Sequence, residues 1–377
     1  MKQLFIKSVL LCLAISVGMA VSARCQPQNV PRLSERGLDQ ASYVELAKEW
    51  KAYMKAHGES ALGLVNLGMA YEYSGEMEAA LTAAKRALEI APDDPVALAY
   101  SGKLLSKYPE HGDRALEHLR RCRAIAPDDD LCLITLAVLL LKRGEWAQSQ
   151  EVFKTIFDRK IIARPFQDFG YNMLVGLPQG AVLITNGDND TLPPLALQAG
   201  MGLRTDIIVV NRHLLNLEEF ATALFERYPG IRPQGEIESD GNLSLSNTLL
   251  KRMVDDTGIT VYFAPTVPFG DLGFEPETTV EGLNLRTTKK GLGAEESARL
   301  YLDTYRLDSA TDWNIAWDLT PAMAGIMSNY VSSMVRIAMG KELSADTKRA
   351  LLDNAMEIAQ FHEMTRLIYI LEKLEES

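Results

Sequence analysis

Between residues 40 and 160 the apolar positions recur at helical spacing, broken by glycine or proline where one run gives way to the next. Residues 61–92 (ALGLVNLGMAYEYSGEMEAALTAAKRALEIAP) show the unit: an amphipathic stretch, a break at Gly75, a second stretch and a closing Pro92. RCRAIAPDDDLCL (121–133) then echoes RALEIAPDDPVAL (86–98) at a distance of 35 residues. After Arg164-Pro165 the pattern changes. AVLIT (181–185) and DIIVVN (206–211) are short apolar runs of the buried-strand type. Between them Thr191 is the expected N-cap of a helix with Pro193 in its first turn, running to about Gln198 and ended by Gly200-Met-Gly202. Such a strand–helix–strand unit predicts two parallel strands. Further helices are expected at 217–230 and 247–258, a third strand at 259–267 and a fourth at 282–287. From Pro321 the period is helical again, over 321–340, 345–362 and 363–376.

A fixed period near 35 residues built from two helices resembles a tetratricopeptide array. Leu64, Leu67, Gly68, Tyr71, Gly75, Ala80, Ala84, Ala87 and Pro92 stand where that family places its packing residues. A second unit follows with Leu98, Gly102, Leu105, Ala115, Leu119, Cys122 and Pro127, and a third with Leu133, Leu136, Ala137, Leu140, Gly144, Ser149, Phe153 and Ile156. Residues 41–58 read as a half-unit capping the front. Each hairpin has apolar surface that only a stacked neighbour can bury, and stacking leaves a groove. The resemblance implies a protein or peptide partner in that groove; bracing of the neighbouring domain is the alternative.

The fold class is therefore α + α/β: a repeat module over 40–160, a small Rossmann-like three-layer α/β domain over 165–315, and a helical segment over 316–377. Residues 1–23 have the layout of a signal peptide, with Lys2 and Lys7 ahead of an apolar run and small residues before Arg24. The run is too short to span a bilayer, and no later segment qualifies. An exported chain, periplasmic or secreted, is expected. Cys25 lies near the cut, but Arg24 replaces the small residue of a lipobox, which argues against a lipid anchor. The net charge of −11 makes nucleic acid an unfavourable partner. Three cysteines beyond residue 23 form neither a disulfide framework nor a zinc spacing; Cys122 and Cys132 are read as a bridge or as small core residues.

The candidate chemistry lies in TNGDNDT (185–191), at the end of the first expected strand. Ligands in open α/β sheets sit at such strand ends. Asp188 and Asp190 offer oxygen ligands for a divalent cation, the one cofactor the pattern allows for without requiring it. The structural alternative is that Asn186-Gly187 makes a turn while Asp190 or Thr191 caps the helix, where negative charge is favoured. Glu281 is a third acid that can complete a site if the fold brings it near. No nucleophile elbow, Walker loop or dinucleotide fingerprint follows a strand, and His213 alone supports no catalytic triad.

The same region resembles the soluble C-terminal part of bacterial protein O-mannosyltransferase-like membrane proteins. Asn186, Gly187, Asp188, Asn189, Asp190, Thr191, Pro193, Gln198, Arg204, Asp206, Asn211, Leu214, Leu215 and Asn216 fall in its register without gaps. The resemblance implies a shared soluble module whose ligand candidates are Asn186, Gly187, Asp188, Asn189, Asp190, Thr191, Arg204 and Asn211. Leu192, Pro194, Leu195 and Ala196 replace its aromatic stretch, and its many-helix membrane portion has no counterpart here. The leading expectation is a non-catalytic adaptor with a protein partner, its α/β module taking a glycan or other polar ligand. The alternatives are a metal-assisted glycan- or phosphate-ester-processing enzyme using Asp188 and Asp190, and a structural subunit of a cell-envelope assembly.

Overall fold

The computed structural model describes residues 25–30, 38–235, 243–256, 258–287, 291–312, 321–340 and 342–375. The expected signal peptide lies outside them. The chain divides into two compact units between Leu139 and Leu140.

The first unit is built from helices α1 (Gln40–His57), α2 (Ala61–Ser74), α3 (Met77–Ile90), α4 (Pro95–Leu105), α5 (Gly112–Ile125) and most of α6 (Asp130–Lys142). Its repeat register follows from the Ala-Pro-Asp-Asp echo. Asp94 accepts from the Ala97 amide at 2.8 Å and Asp129 from the Cys132 amide at 2.7 Å, so the second aspartate of each motif starts the next helix. The preceding turns close alike, Asp94 N to Ala91 O at 3.2 Å and Asp129 N to Ala126 O at 3.1 Å. Ser60 caps α2, and Gly75 ends it with φ of 95°, which a side chain would oppose.

Close helix contact explains the small residues. A Cβ on Gly68 would stand 2.7 Å from the Tyr100 ring, and one on Gly102 would stand 2.6 Å from Leu119. Tyr100 and Leu119 are fully buried, so neither can withdraw into solvent. Ala80 and Ala87 are equally inaccessible. Cys122 and Cys132 are free, buried thiols, donating to Pro95 O at 3.2 Å and Leu119 O at 3.3 Å.

In the second unit α7 (Trp146–Asp158) and α8 (Arg164–Val175) precede β1 (Val182–Thr185), α9 (Asp188–Met201), β2 (Ile208–Asn211), α10 (Glu218–Arg227), α11 (Leu245–Asp256), β3 (Val261–Phe263), β4 (Thr279–Glu281) and β5 (Asn284–Arg286). A short α12 (Ala294–Arg299) leads on to α13 (Pro321–Ala338), α14 (Ala345–Phe361) and α15 (Thr365–Glu375). The sheet order is β2-β1-β3-β5-β4. β1 pairs in parallel with β2 and β3, while β5 runs antiparallel to β3 and β4. The sheet is thus mixed: a parallel trio extended by a hairpin. The third strand is shorter than the apolar run 259–267, ending before Pro265, which has no amide to continue a ladder. The expected fourth strand is Asn284–Arg286, and its partner Thr279–Glu281 is one strand more than the sequence pattern suggested.

The helix after β1 begins earlier than expected. It starts at Asp188, with Gly187 as N-cap, so Thr191 is inside the helix and Pro193 and Pro194 fall in its second turn. Two helical amides are missing there. Gly170 of α8 lies against these prolines, a Cβ there being 2.8 Å from Pro193 and 2.9 Å from Pro194. No helix among the described residues is long and apolar enough to cross a membrane.

Replacing Gly102 by valine should cost about 1–3 kcal/mol through overpacking against Leu119. The check is a urea unfolding curve with a lowered midpoint and unchanged slope; an unchanged midpoint would show that the helices part freely there.

Candidate functional site

The candidate site forms where the three parallel strands end. Asp190 is 1% exposed, and a buried carboxylate needs donors. It takes them from the turn before its own helix: Asn186 N donates to Oδ2 and Gly187 N to Oδ1, each at 2.7 Å. The Thr266 hydroxyl, from the segment after β3, donates to Oδ2 as well. Desolvation still raises the Asp190 carboxyl above its ordinary value, the three donors opposing the shift.

Thr191 points into a second buried knot. Its hydroxyl lies 2.6 Å from that of Thr185 and accepts from Asn211 Nδ2 at 3.0 Å. Asn211 Oδ1 accepts from the His213 amide at 2.9 Å, which turns the chain after β2. The β1 and β2 ends are thereby joined by side chains beyond their last ladder bonds.

Arg212 is the residue that sequence reasoning missed. Its side chain is only 7% exposed; Nε donates to Asn186 Oδ1 at 2.7 Å, and Nη2 pairs with Asp271 at 3.4 Å. Asp271 is 65% exposed, so the buried guanidinium has a distant and well-hydrated counter-charge. His213 sits beside it, its pKa lowered by burial and by the Arg212 charge, against Asp190 and Asp271. A Val-Asn-Arg-His run at the end of a strand gives no signal of a buried cation, because the burial depends on β1 lying alongside.

Asp188 and Asn189 are exposed. Protein around Asp188 nonetheless desolvates its carboxyl and raises its pKa, with Lys142 opposing. Asp188 meets solvent, and the charge that acts on its carboxyl is that of Lys142. The two acids of the Asp-x-Asp run therefore differ: Asp190 is committed to the turn and Asp188 is available. Among the described residues no group of three or more His, Cys, Asp or Glu is arranged to hold a metal ion.

Arg204 and Glu281 are engaged elsewhere. Arg204 has φ of 44° and forms a two-point pair with Asp206, both contacts at 2.9 Å. Its Nη1 donates to the carbonyls of Leu174 and Leu177, and Nη2 donates to that of Pro178 as well. These lie ahead of β1, at the opposite end of the strand from Asp188. The guanidinium holds the Asp206 carboxyl down at about 2. Glu281, buried at the end of β4, accepts from Tyr262, Arg286 and the Leu292 amide, and none of these belongs to the Asp188 turn. Asn186, Gly187, Asp188, Asn189, Asp190, Thr191 and Asn211 are brought together, joined by Arg212 and Thr266; Arg204 is not.

Two family models match the chain. The tetratricopeptide repeat matches residues 61–94, so the chain carries that repeat in its first unit. TMEM260-associated domain 2 matches residues 166–224, which include the Asn186–Thr191 turn, α9, β2 and Arg212. No curated protein is similar to the chain in sequence. Among solved structures the chain is similar to the crystal structure of MamA, at 15% identity over 50% of this chain and 85% of that one, with a TM-score of 0.31. It is also similar to YrrB, described as a TPR protein with an unusual peptide-binding site, at 13% identity over 50% and 79% of the two chains and a TM-score of 0.30. A tetratricopeptide repeat protein from Parabacteroides merdae is 12% identical over 84% of this chain and 94% of its own, with a TM-score of 0.32.

Two substitutions separate the paired acids. Asp190→Ala leaves three donors without their acceptor and should cost about 1–3 kcal/mol in chemical unfolding. Asp188→Asn should act oppositely and with pH. The folded carboxyl holds its proton above the ordinary 3.8, so it favours the folded state at low pH and loses that contribution as pH rises through its raised value. Stability of Asp188→Asn should match the parent below about pH 3.8 and exceed it at pH 7. Equal stability at both pH values would count against a desolvated Asp188.

Proposed function

We propose that the chain is an exported tetratricopeptide-repeat adaptor that holds a protein or peptide partner on its repeat unit. The observation that carries the reading is a recurrent apolar exposure. Leu62 and Val96, the second residues of α2 and α4, are 43% and 40% exposed, and Leu131 is half-buried at the same place in α6. Ile90 and Ile125, the last residues of α3 and α5, are 39% and 49% exposed. A lone exposed Leu is unremarkable, but the same place left apolar in successive repeats makes a row on a stacked array. The repeat match over residues 61–94 supports the same reading. Export is supported by the layout of residues 1–23.

The second unit contributes a polar ligand site at Asp188, with Arg212 and His213 beside the strand ends. A glycan suits it, since a carboxylate accepts from neighbouring hydroxyls and an amide such as that of Asn189 can do both. A metal-assisted hydrolase or transferase is the weaker reading: a cation approaching from solvent meets one free carboxylate, because Asp190 is spent on the turn. A structural role in an envelope assembly asks for less chemistry still and has no residue that argues for it.

The adaptor reading is tested by selecting peptides from a displayed library against the whole protein and titrating those enriched. Leu62→Glu/Val96→Glu should weaken their binding at least tenfold while melting at the parental temperature. Failure to enrich any peptide would sink the reading; enriched peptides indifferent to the double substitution would take the contact off this apolar row and onto another face of the repeat unit.

A further inference from the structure

The first unit already holds an irregular peptide segment, and it is part of the same chain. Residues 25–30 have neither helix nor strand, and only Val30 among them is buried, at 4% exposure. Val30 belongs to the apolar cluster that contains Leu46, Trp50 and Met69. The contacts flanking that anchor are made largely to backbone. Trp50 Nε1 donates to Gln28 O at 3.1 Å, and Val30 N donates to Asn66 Oδ1 at 2.7 Å. Asn66 Nδ2 reaches Asn29 Oδ1 at 3.4 Å, the one hydrogen bond to a side chain of this segment among the described residues. Trp50 and Asn66 are themselves 1% and 4% exposed.

This is a poor way to fix a segment permanently and a good way to read a peptide. A carbonyl and an amide two residues apart are present in every extended chain, whatever its sequence. The side chain between Trp50 and Asn66 needs only to be compact and apolar. The built part lies in the repeat unit, where two buried polar side chains are aimed at backbone groups. Residues 25–29 contribute almost no buried surface, so local opening takes little disruption. Trp50 lies on α1 and Asn66 on α2, and both bond to the same short segment, placing the site at the front of the array.

We infer that the Trp50–Asn66 face is a binding site for an extended peptide carrying a compact apolar anchor, and that Gln28–Val30 occupies it as a built-in competitor. The inference rests on the adaptor reading and gives it a location and a ligand chemistry. A partner peptide places a Val-like side chain in the Val30 pocket, offers its carbonyl to Trp50 and its amide to Asn66, and displaces the chain's own segment. Apparent affinity is then reduced by the fraction of molecules in which the site is covered.

The probe is a labelled synthetic peptide, QPQNVP, matching residues 26–31, followed by fluorescence anisotropy with the full chain. Val30→Asp puts a charge into the apolar pocket and ejects the segment, so this variant should bind the peptide at least tenfold more tightly than the parent. Adding Asn66→Ala should remove that gain, and a peptide with Asp for Val should not bind. Val30→Gly, which removes the anchor without a charge, is read in the same way if Val30→Asp loses helical circular dichroism. A folded Val30 variant that ignores the peptide, or binds it no better than the parent, overturns the assignment. If display-selected peptides still bind in a Leu62- and Val96-dependent manner in that case, the adaptor reading stands and only the location falls.

Discussion

A carboxylate with almost no exposure cannot remain charged without donors, and the strand-end architecture is organised around that requirement at Asp190. The side chain reaches back to the amide of the N-cap Gly187 and to that of Asn186 in the turn before it, and sideways to Thr266 beyond β3. One group thus fixes the turn after β1 and ties it to the segment after β3. The consequences run outward. With the turn fixed, Asn186 presents its carbonyl oxygen to Arg212, and Thr191 meets Thr185 and Asn211. The exposed part of the turn, Asp188 and Asn189, is what this buried network leaves over for a ligand.

The repeat unit meets a different constraint with similar economy. Its helices approach so closely at Gly68 and Gly102 that the facing Tyr100 and Leu119 fill the space a Cβ would take. Close packing of this kind leaves few places where a side chain can act on anything but its neighbours. Trp50 and Asn66 are such places: both are buried, yet each spends a polar group on the backbone of an irregular segment. Polar groups held rigid by a packed core make precise contacts at small entropic cost, which is why a backbone-reading site can sit on a helical array with no loop of its own.

The periodic features of this fold were legible in the sequence, and the features that depend on distant pairing were not. The Ala-Pro-Asp-Asp echo marked the repeat period, and the structure shows its second aspartates, Asp94 and Asp129, capping the helices that follow. Gly68 and Gly102 are readable as close-contact positions because the repeat supplies their register. The βαβ unit and its parallel strands also follow from local pattern. The start of α9 was misplaced by four residues because Thr191 is a better N-cap by composition than Gly187. What decides the matter is the reach of Asp190 back to the turn and across to Thr266, 76 residues away. Arg212 was invisible for the same reason: nothing near it in sequence indicates that Asn186 stands alongside. β4 was missed because three residues, one of them exposed, carry no alternation of their own and are a strand only beside β5.

The unequal fates of Asp188 and Asp190 follow from helix geometry as much as from burial. Two acids one residue apart look like a pair on the page, and in an extended loop they can act as one. Once both lie in a helix, residues two apart do not face each other, being about 200° apart around the axis. If one carboxylate turns inward to satisfy the amides of the preceding turn, the other must stand on the outer side of the first turn. A helix capped by Thr191 would have left both acids in the loop and free to converge; a helix beginning at Asp188 divides them. The position of one helix start therefore decides whether this turn is a two-carboxylate site or a capped turn bearing a single available acid, and Asp190 sets that position.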